Sequence, residues 1–301
     1  VASDTSLIFN LIARKRVSEG LAKVREKFDS AATGIAAGIG GALGYGVASS
    51  LDMGAASAKL AAQLGLNTTE AASVGKTAGK VYSGGWGDSM DTVNEAIRGV
   101  TLNIGDLGKG AAGGLQGMSS KALMLSQTFD QDLGGATTAV GQMLRTGLAS
   151  SADQAFDIIT AGLQAGADKS GGFLDTLNEY GTQFRKMGID GQTATGLLSQ
   201  GLKAGARDGD LVADAIKEFS IRAIDGSTTT AQGFKMIGLN ASDMATRIGK
   251  GGSSASSALD ETLDRLRGIK DPVLQSQAAV ALFGTQARAA RRSLSVPTGY
   301  S

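Results

Sequence analysis

The chain has 301 residues, 29 Lys+Arg against 28 Asp+Glu, no histidine, no cysteine, two prolines and 45 glycines. Without His and Cys there is no zinc site of the usual kind, no histidine-dependent triad, no thiol redox chemistry and no disulfide. A net charge of +1 exerts no strong long-range pull on nucleic acid or an anionic membrane, so no sequence-specific nucleic-acid partner is expected.

The first predicted element is a long amphipathic helix over residues 3–29. Leu7, Leu11, Val17, Leu21, Val24 and Phe28 recur at helical intervals. The opposite face carries Arg14, Lys15, Arg16, Glu19, Lys23, Arg25, Glu26 and Lys27. No aromatic is interleaved for base stacking, so this reads as a solvated face. The apolar Leu7-Ile8-Phe9 run has no basic residue before it, the wrong order for a secretory signal.

Ala31 to Leu51 follows without a charge. That length just spans a bilayer, but Ala and Gly dominate it and make insertion weak. Gly34/Gly38 and Gly40/Gly44 form two G-x-x-x-G spacings, which allow close helix–helix approach. The expected role is a tightly packed helix among copies of the chain or inside a protein tube. The competing reading is a membrane-active helical protein inserting through residues 31–51.

From residue 52 onward the chain reads as a procession of short helices. The clearest are Ala55–Leu64, Glu70–Val81, Met90–Val100, Ser119–Leu133, Ala139–Leu148, Ala152–Gly166, Phe173–Met187, Ala194–Ala204, Leu211–Ile224 and Ala258–Ile269. Phe173, Leu177, Tyr180, Phe184 and Met187 step by four and three, as a helix face requires. Val100-Thr101-Leu102-Asn103-Ile104 is the one segment with strand-like alternation.

A local device recurs at helix starts: glycine, an apolar residue, then a capping side chain. It stands at Gly65-Leu66-Asn67, Gly188-Ile189-Asp190 and Gly238-Leu239-Asn240, and more loosely at Gly147-Leu148-Ala149-Ser150. Glycine ends one helix with positive φ, and Asn, Asp or Ser accepts from the free N–H groups of the next. The spacing is uneven, so no regular solenoid is expected. Gly84–Asp88, Gly105–Gly114 and Gly249–Ser254 read as loops or hinges. The expected organisation is a helical arm over 1–51, a short-helix segment over 52–118, a helical domain over 119–292 and a flexible tail over 293–301.

Candidates for chemistry are weak. Gly75-Lys76-Thr77 resembles the end of a phosphate loop, but Glu70 occupies the position of the first glycine and no strand precedes it. Gly44-Tyr45-Gly46 lacks the third glycine of a dinucleotide site. The carboxylates Asp130/Asp132, Asp208/Asp210 and Asp260/Glu261/Asp264 lack the ligand order of a calcium loop and read as caps and solvated faces. Trp86, the only tryptophan, reads as an anchor in a local cluster or against a partner. No catalytic residue, cofactor or metal is expected.

The C-terminal third carries a distinctive run. It comprises Ala231-Gln232-Gly233-Phe234-Lys235-Met236-Ile237-Gly238-Leu239-Asn240, the Gly251–Leu259 link, Leu263–Pro272, and Ala281-Leu282-Phe283-Gly284-Thr285-Gln286-Ala287. This pattern resembles the phage tail tape measure protein family over roughly residues 231–290, and the chain reads as an N-terminal or truncated portion of such a protein. The resemblance implies an all-α, non-enzymatic, multi-copy protein of the virion. It would be assembled in the host cytoplasm and lie in the tail tube lumen. There it would template tube length and be ejected with or before the DNA. Implied partners are copies of itself, tail tube and tail tip proteins, tail assembly chaperones and, during ejection, the host membrane. In that light Leu21, Val24, Phe28, Gly34, Gly38, Gly40 and Gly44 are the expected self-association residues. Ile237, Leu239, Leu263, Leu266, Leu282 and Phe283 are the expected core of the family-like C-terminal unit.

Overall fold

The computed structural model describes Ser30, residues 33–39, Gly41, residues 53–108 and residues 110–285. The predicted helix over 3–29 therefore lies outside the described residues, as do most of the 31–51 segment and the 293–301 tail. The protein is all-α, with no strand among the described residues.

A helical stretch over 33–39 is followed by α1 (Met53–Leu64), α2 (Thr68–Ser83) and α3 (Met90–Gly99). Next come a π-helical turn (Val100–Ile104), a 3-10 turn (Gly105–Gly108) and α4 (Gly114–Phe129). The series continues with α5 (Leu133–Thr146), α6 (Ala152–Gln164), α7 (Phe173–Lys186), α8 (Gly191–Lys203) and α9 (Gly209–Arg222). It ends with α10 (Thr228–Met236), α11 (Ala241–Lys250), α12 (Gly252–Arg267) and α13 (Pro272–Phe283).

The glycine corners form as the local chemistry requires. Gly65, Gly188 and Gly238 have φ of 63°, 70° and 73°, a region where a side chain would be strained. After them Asn67, Asp190 and Asn240 accept from the N–H of Glu70, Thr193 and Asp243 at 3.0, 2.8 and 2.9 Å. Glu70 reaches back to the Asn67 N–H at 3.0 Å and completes a capping box. At the looser fourth instance the cap is Ser151, which accepts from the Gln154 N–H at 3.1 Å.

Three differences from the sequence reading stand out. Val100–Ile104 continues α3 as a π turn, because Val100 and Ile104 are both needed in the core, 0% and 2% exposed. Leu133 opens α5 and does not end α4. Asp130, at φ 54°, stops α4 in the left-handed conformation. The expected 249–254 loop shrinks to a corner at Gly251, since Gly252 already begins α12.

Two compact units result. The first ends at Gly105 and also takes in Ala112–Gly134; the second comprises Asp106–Ala111 and the chain from Gly135 onward. In the first unit α3 is the hub, packed on α1, α2 and α4. Its Val93, Ala96 and Ile97 are completely buried. In the second unit helices pack on the next but one, α6 on α8 and α7 on α9, and α9 also meets α8 and α13. The aromatic residues converge there. Phe219 of α9 stacks on Phe283 of α13 with centroids 4.7 Å apart and meets Phe234 of α10 edge-on at 6.3 Å.

Candidate interaction surfaces

Two arrangements merit functional reading: a glycine seam in the first unit, and the helices that carry the C-terminal motif in the second. The seam joins residues 33–39 to α2. The buried residues of α2 are Ala71, Gly75, Ala78, Gly79 and Val81, so all but one are Ala or Gly. A Cβ at Gly34 would stand 2.8 Å from the Thr68 carbonyl oxygen and 3.1 Å from Ala71 Cβ. One at Gly38 would collide with the Ala72 carbonyl oxygen and stand 2.6 Å from the Lys76 nitrogen. One at Gly75 would collide with the Ile35 carbonyl oxygen. Backbone therefore lies on backbone, and Ile35 and Ile39 are both 0% exposed. The G-x-x-x-G pair Gly34/Gly38 thus meets α2 of the same chain. Leu21, Val24, Phe28, Gly40 and Gly44 lie outside the described residues.

The seam also accounts for Gly75-Lys76-Thr77. These residues sit inside α2, where the Thr77 hydroxyl donates to the Ser73 carbonyl at 3.1 Å. A helix interior offers no cradle of free N–H groups to a phosphate. Gly75 is there for close approach. The available signal was its spacing from Ala71 and Ala78, four and three residues away on one helix face.

The C-terminal motif resolves into packing and capping roles. Phe234 is fully buried, Ile237 is 6% exposed and Gly238 makes the turn. Leu239 is half-buried, and its N–H closes the corner on the Phe234 carbonyl at 2.9 Å. Leu263, Leu266, Leu282 and Phe283 are buried. Gly233 admits α13, since a Cβ there would stand 2.9 Å from Ala281 Cβ and 3.0 Å from Leu282 Cγ. Asp271 caps α13 by accepting from the Val273 N–H at 2.8 Å, with Pro272 in the first turn. Gln275 Nε2 donates to the Leu266 carbonyl at 3.0 Å and ties α13 to the end of α12. Phe219, the residue at the centre of this cluster, was not singled out from the sequence, which shows it only as one apolar position in α9.

The carboxylates serve structure. Burial pushes the Asp208 carboxyl up, but hydrogen bonds from Arg207 and from the Leu211 N–H hold it below its ordinary value. Asp210 accepts from the Thr176 hydroxyl at 2.6 Å. Glu261 pairs with Arg247, and Asp264 with Arg267, each at 2.7 Å. Burial, with Glu179, Asp214, Asp210 and Asp208 around it, pushes the Tyr180 hydroxyl up to about 12. Among the described residues no cluster of acidic side chains could hold a metal ion, and no helix is long and apolar enough to cross a membrane. Trp86 is half-buried in a glycine corner, which Gln127 Nε2 ties to α4 by donating to Asp88 Oδ1 at 3.3 Å.

Comparison with known proteins gives these arrangements a context. Residues 84–284 match the family of phage-related minor tail proteins. The chain is 45% identical over 280 residues to a probable tape measure protein of Streptomyces phage phiC31. The alignment covers 90% of this chain and 38% of that protein, so the chain spans well under half the length of its relative. No solved structure matches. The family match takes in α3 to α13, from the hub of the first unit to the Phe219 cluster of the second. The chain belongs to the phage-related minor tail protein family.

Proposed function

We propose that this chain is a structural, non-enzymatic component of a phage tail, acting as a tape measure. In this reading it lies in the tube lumen, templates tube length during assembly and leaves with or before the DNA. The observation that carries the proposal is the likeness to the probable tape measure protein of phiC31 over 90% of this chain. It is supported by chemistry spent on caps, corners and packing, and by carboxylates engaged in structural pairs.

The proposed partners are copies of the chain, tail tube and tail tip proteins, assembly chaperones and the host membrane at ejection. Functionally we divide the chain into the arm 1–51, the segment 52–118, the tape-measure-like domain 119–292 and the tail 293–301. Leu21, Val24, Phe28, Gly34, Gly38, Gly40 and Gly44 are proposed to mediate copy-to-copy contact. For Gly34 and Gly38 this carries a condition: residues 33–39 must first leave α2, which occupies them within one chain. The same condition weighs against the membrane-active reading, because Ile35 and Ile39 would have to give up complete burial.

The test is tail length after an in-frame deletion of about 30 residues in the gene encoding this chain. At the helical rise, tails should shorten uniformly by up to about 45 Å in electron micrographs. Tails of unchanged length would remove the ruler role. Particles that carry no product of this gene would remove the virion role.

A further inference from the structure

We propose that the first unit opens by itself while the second stays folded, so that the chain has a populated half-released state. The inference rests on the internal packing of each unit and not on the tail role.

The cores differ in kind. Six phenylalanines, Phe156, Phe173, Phe184, Phe219, Phe234 and Phe283, are fully buried, and all six belong to the second unit. Among the described residues of the first unit no aromatic side chain is buried. The described part of its core is aliphatic and small, with Ile35, Ile39, Leu60, Val93, Ile97 and Leu123 set among alanines and glycines. Each phenylalanine contributes more buried area than any of these side chains. The glycine seam brings backbone onto backbone, and the large side chains it buries are Ile35 and Ile39.

The hub of the first unit carries a defect. Asn94 of α3 is 5% exposed, and neither its Oδ1 nor its Nδ2 has a hydrogen-bond partner among the protein's own groups. On α4, which packs against α3, Ser119 is 0% exposed with an unpaired hydroxyl. A buried polar group without a partner loses its hydration and receives nothing in return. The second unit has unpaired Asn178 Oδ1, Gln183 Oε1 and Thr195 Oγ1. Thr195, 6% exposed, matches Ser119, but Asn178 and Gln183 are only half-buried, and only Asn94 has both amide atoms buried and unpaired. Opening the first unit rehydrates Asn94 and Ser119 together.

The α-helix of the hub is also interrupted at its end. α3 runs into the π turn Val100–Ile104, which leaves Leu102 57% exposed and ends at Gly105 with φ 47°. A π turn is rare and occurs mostly as a single-turn interruption of an α-helix. Because α1, α2 and α4 all pack on α3, release of the hub removes a partner from each. The first unit therefore opens as one cooperative piece.

The test uses the full 301-residue chain. Amide exchange read by mass spectrometry should show peptides of α1–α4 exchanging about 100-fold faster than peptides of α7, α9 and α13. In a urea titration, Trp86 fluorescence, which reports on the first unit, should change before the far-ultraviolet helix signal is half lost. Replacing Asn94 by the apolar isostere, Asn94→Leu, should slow exchange in α1–α4 about tenfold and leave the second unit unchanged. Phe219→Ala should accelerate exchange in α7, α9 and α13. Equal protection in both units of the unaltered chain, with one coincident urea transition, would overturn the proposal whether or not any variant folds. So would an Asn94→Leu chain in which both units shift together.

Discussion

Gly75→Ala sets two effects of opposite sign against each other. Inside an exposed helix the change would stabilise by about 1 kcal/mol, because alanine loses less conformational freedom on folding than glycine. Here the new methyl would run into the Ile35 carbonyl oxygen and stand 2.7 and 2.8 Å from Ile35 Cα and C. Those are backbone atoms of another helix, so no side chain can rotate away. Ordinary carbon contacts need about 3.5 Å or more, and the 33–39 stretch must retreat by roughly 1 Å. Overpacking of this kind costs about 1–3 kcal/mol, and Ile35 and Ile39 lose part of their complete burial. Because the clash is with backbone, the upper part of that range, about 2–3 kcal/mol, applies, and the expected net effect is destabilisation of the first unit by about 1–2 kcal/mol. Gly41→Ala is the matched control, since nothing lies within 4 Å of its added Cβ; it should be neutral or stabilising by up to about 1 kcal/mol. Urea unfolding followed through Trp86 measures both. Gly38→Ala combined with Gly75→Ala should cost less than the sum of the two, because the helix has already lifted. A Gly75→Ala chain as stable as the unaltered protein would refute the seam.

Other variants probe the caps and charges. Asp271→Ala removes the acceptor for the Val273 and Leu274 N–H groups; thermal unfolding of the second unit should fall by the equivalent of about 1 kcal/mol. Asp208 has a folded value below its ordinary 3.8. Its contribution is complete above that pH and is lost as the pH falls through the lowered value. The acid limb of a stability–pH profile should therefore be shallower in Asp208→Ala. Lys76→Ala changes an exposed side chain on α2. Stability should stay within about 0.5 kcal/mol of the unaltered chain, and calorimetry should show no ATP binding before or after the change.

Much of this fold was legible because its signals are local. Helical spacing announced most of the elements, and the Gly–apolar–cap device placed the starts of α2, α8 and α11, where Asn67, Asp190 and Asn240 do the capping. α10 and α13 are short, and α13 is apolar nearly all round, so their periodicity is faint. They were readable only through the family motif. The 100–104 segment misled because its alternation places Val100 and Ile104 inward and Leu102 outward in either a strand or a π turn. The continuation of α3 decided between them.

The sequence alone excluded histidine, cysteine and metal–thiolate chemistry, set the helical class, and carried the motif that points to phage tails. These properties depend on residue identity and short spacing, which any conformation preserves. Only the tertiary structure decided what each glycine meets. Gly34 and Gly38 share a G-x-x-x-G spacing whether their partner is a second copy or α2 of the same chain. Gly75-Lys76 reads alike as a loop remnant or a helix interior. The tertiary structure also brought Phe219, Phe234 and Phe283 into one cluster, and left Asn94 buried without a partner among the protein's own groups. Close approach, stacking and the absence of a hydrogen-bond partner are relations between distant segments, and local spacing does not encode them.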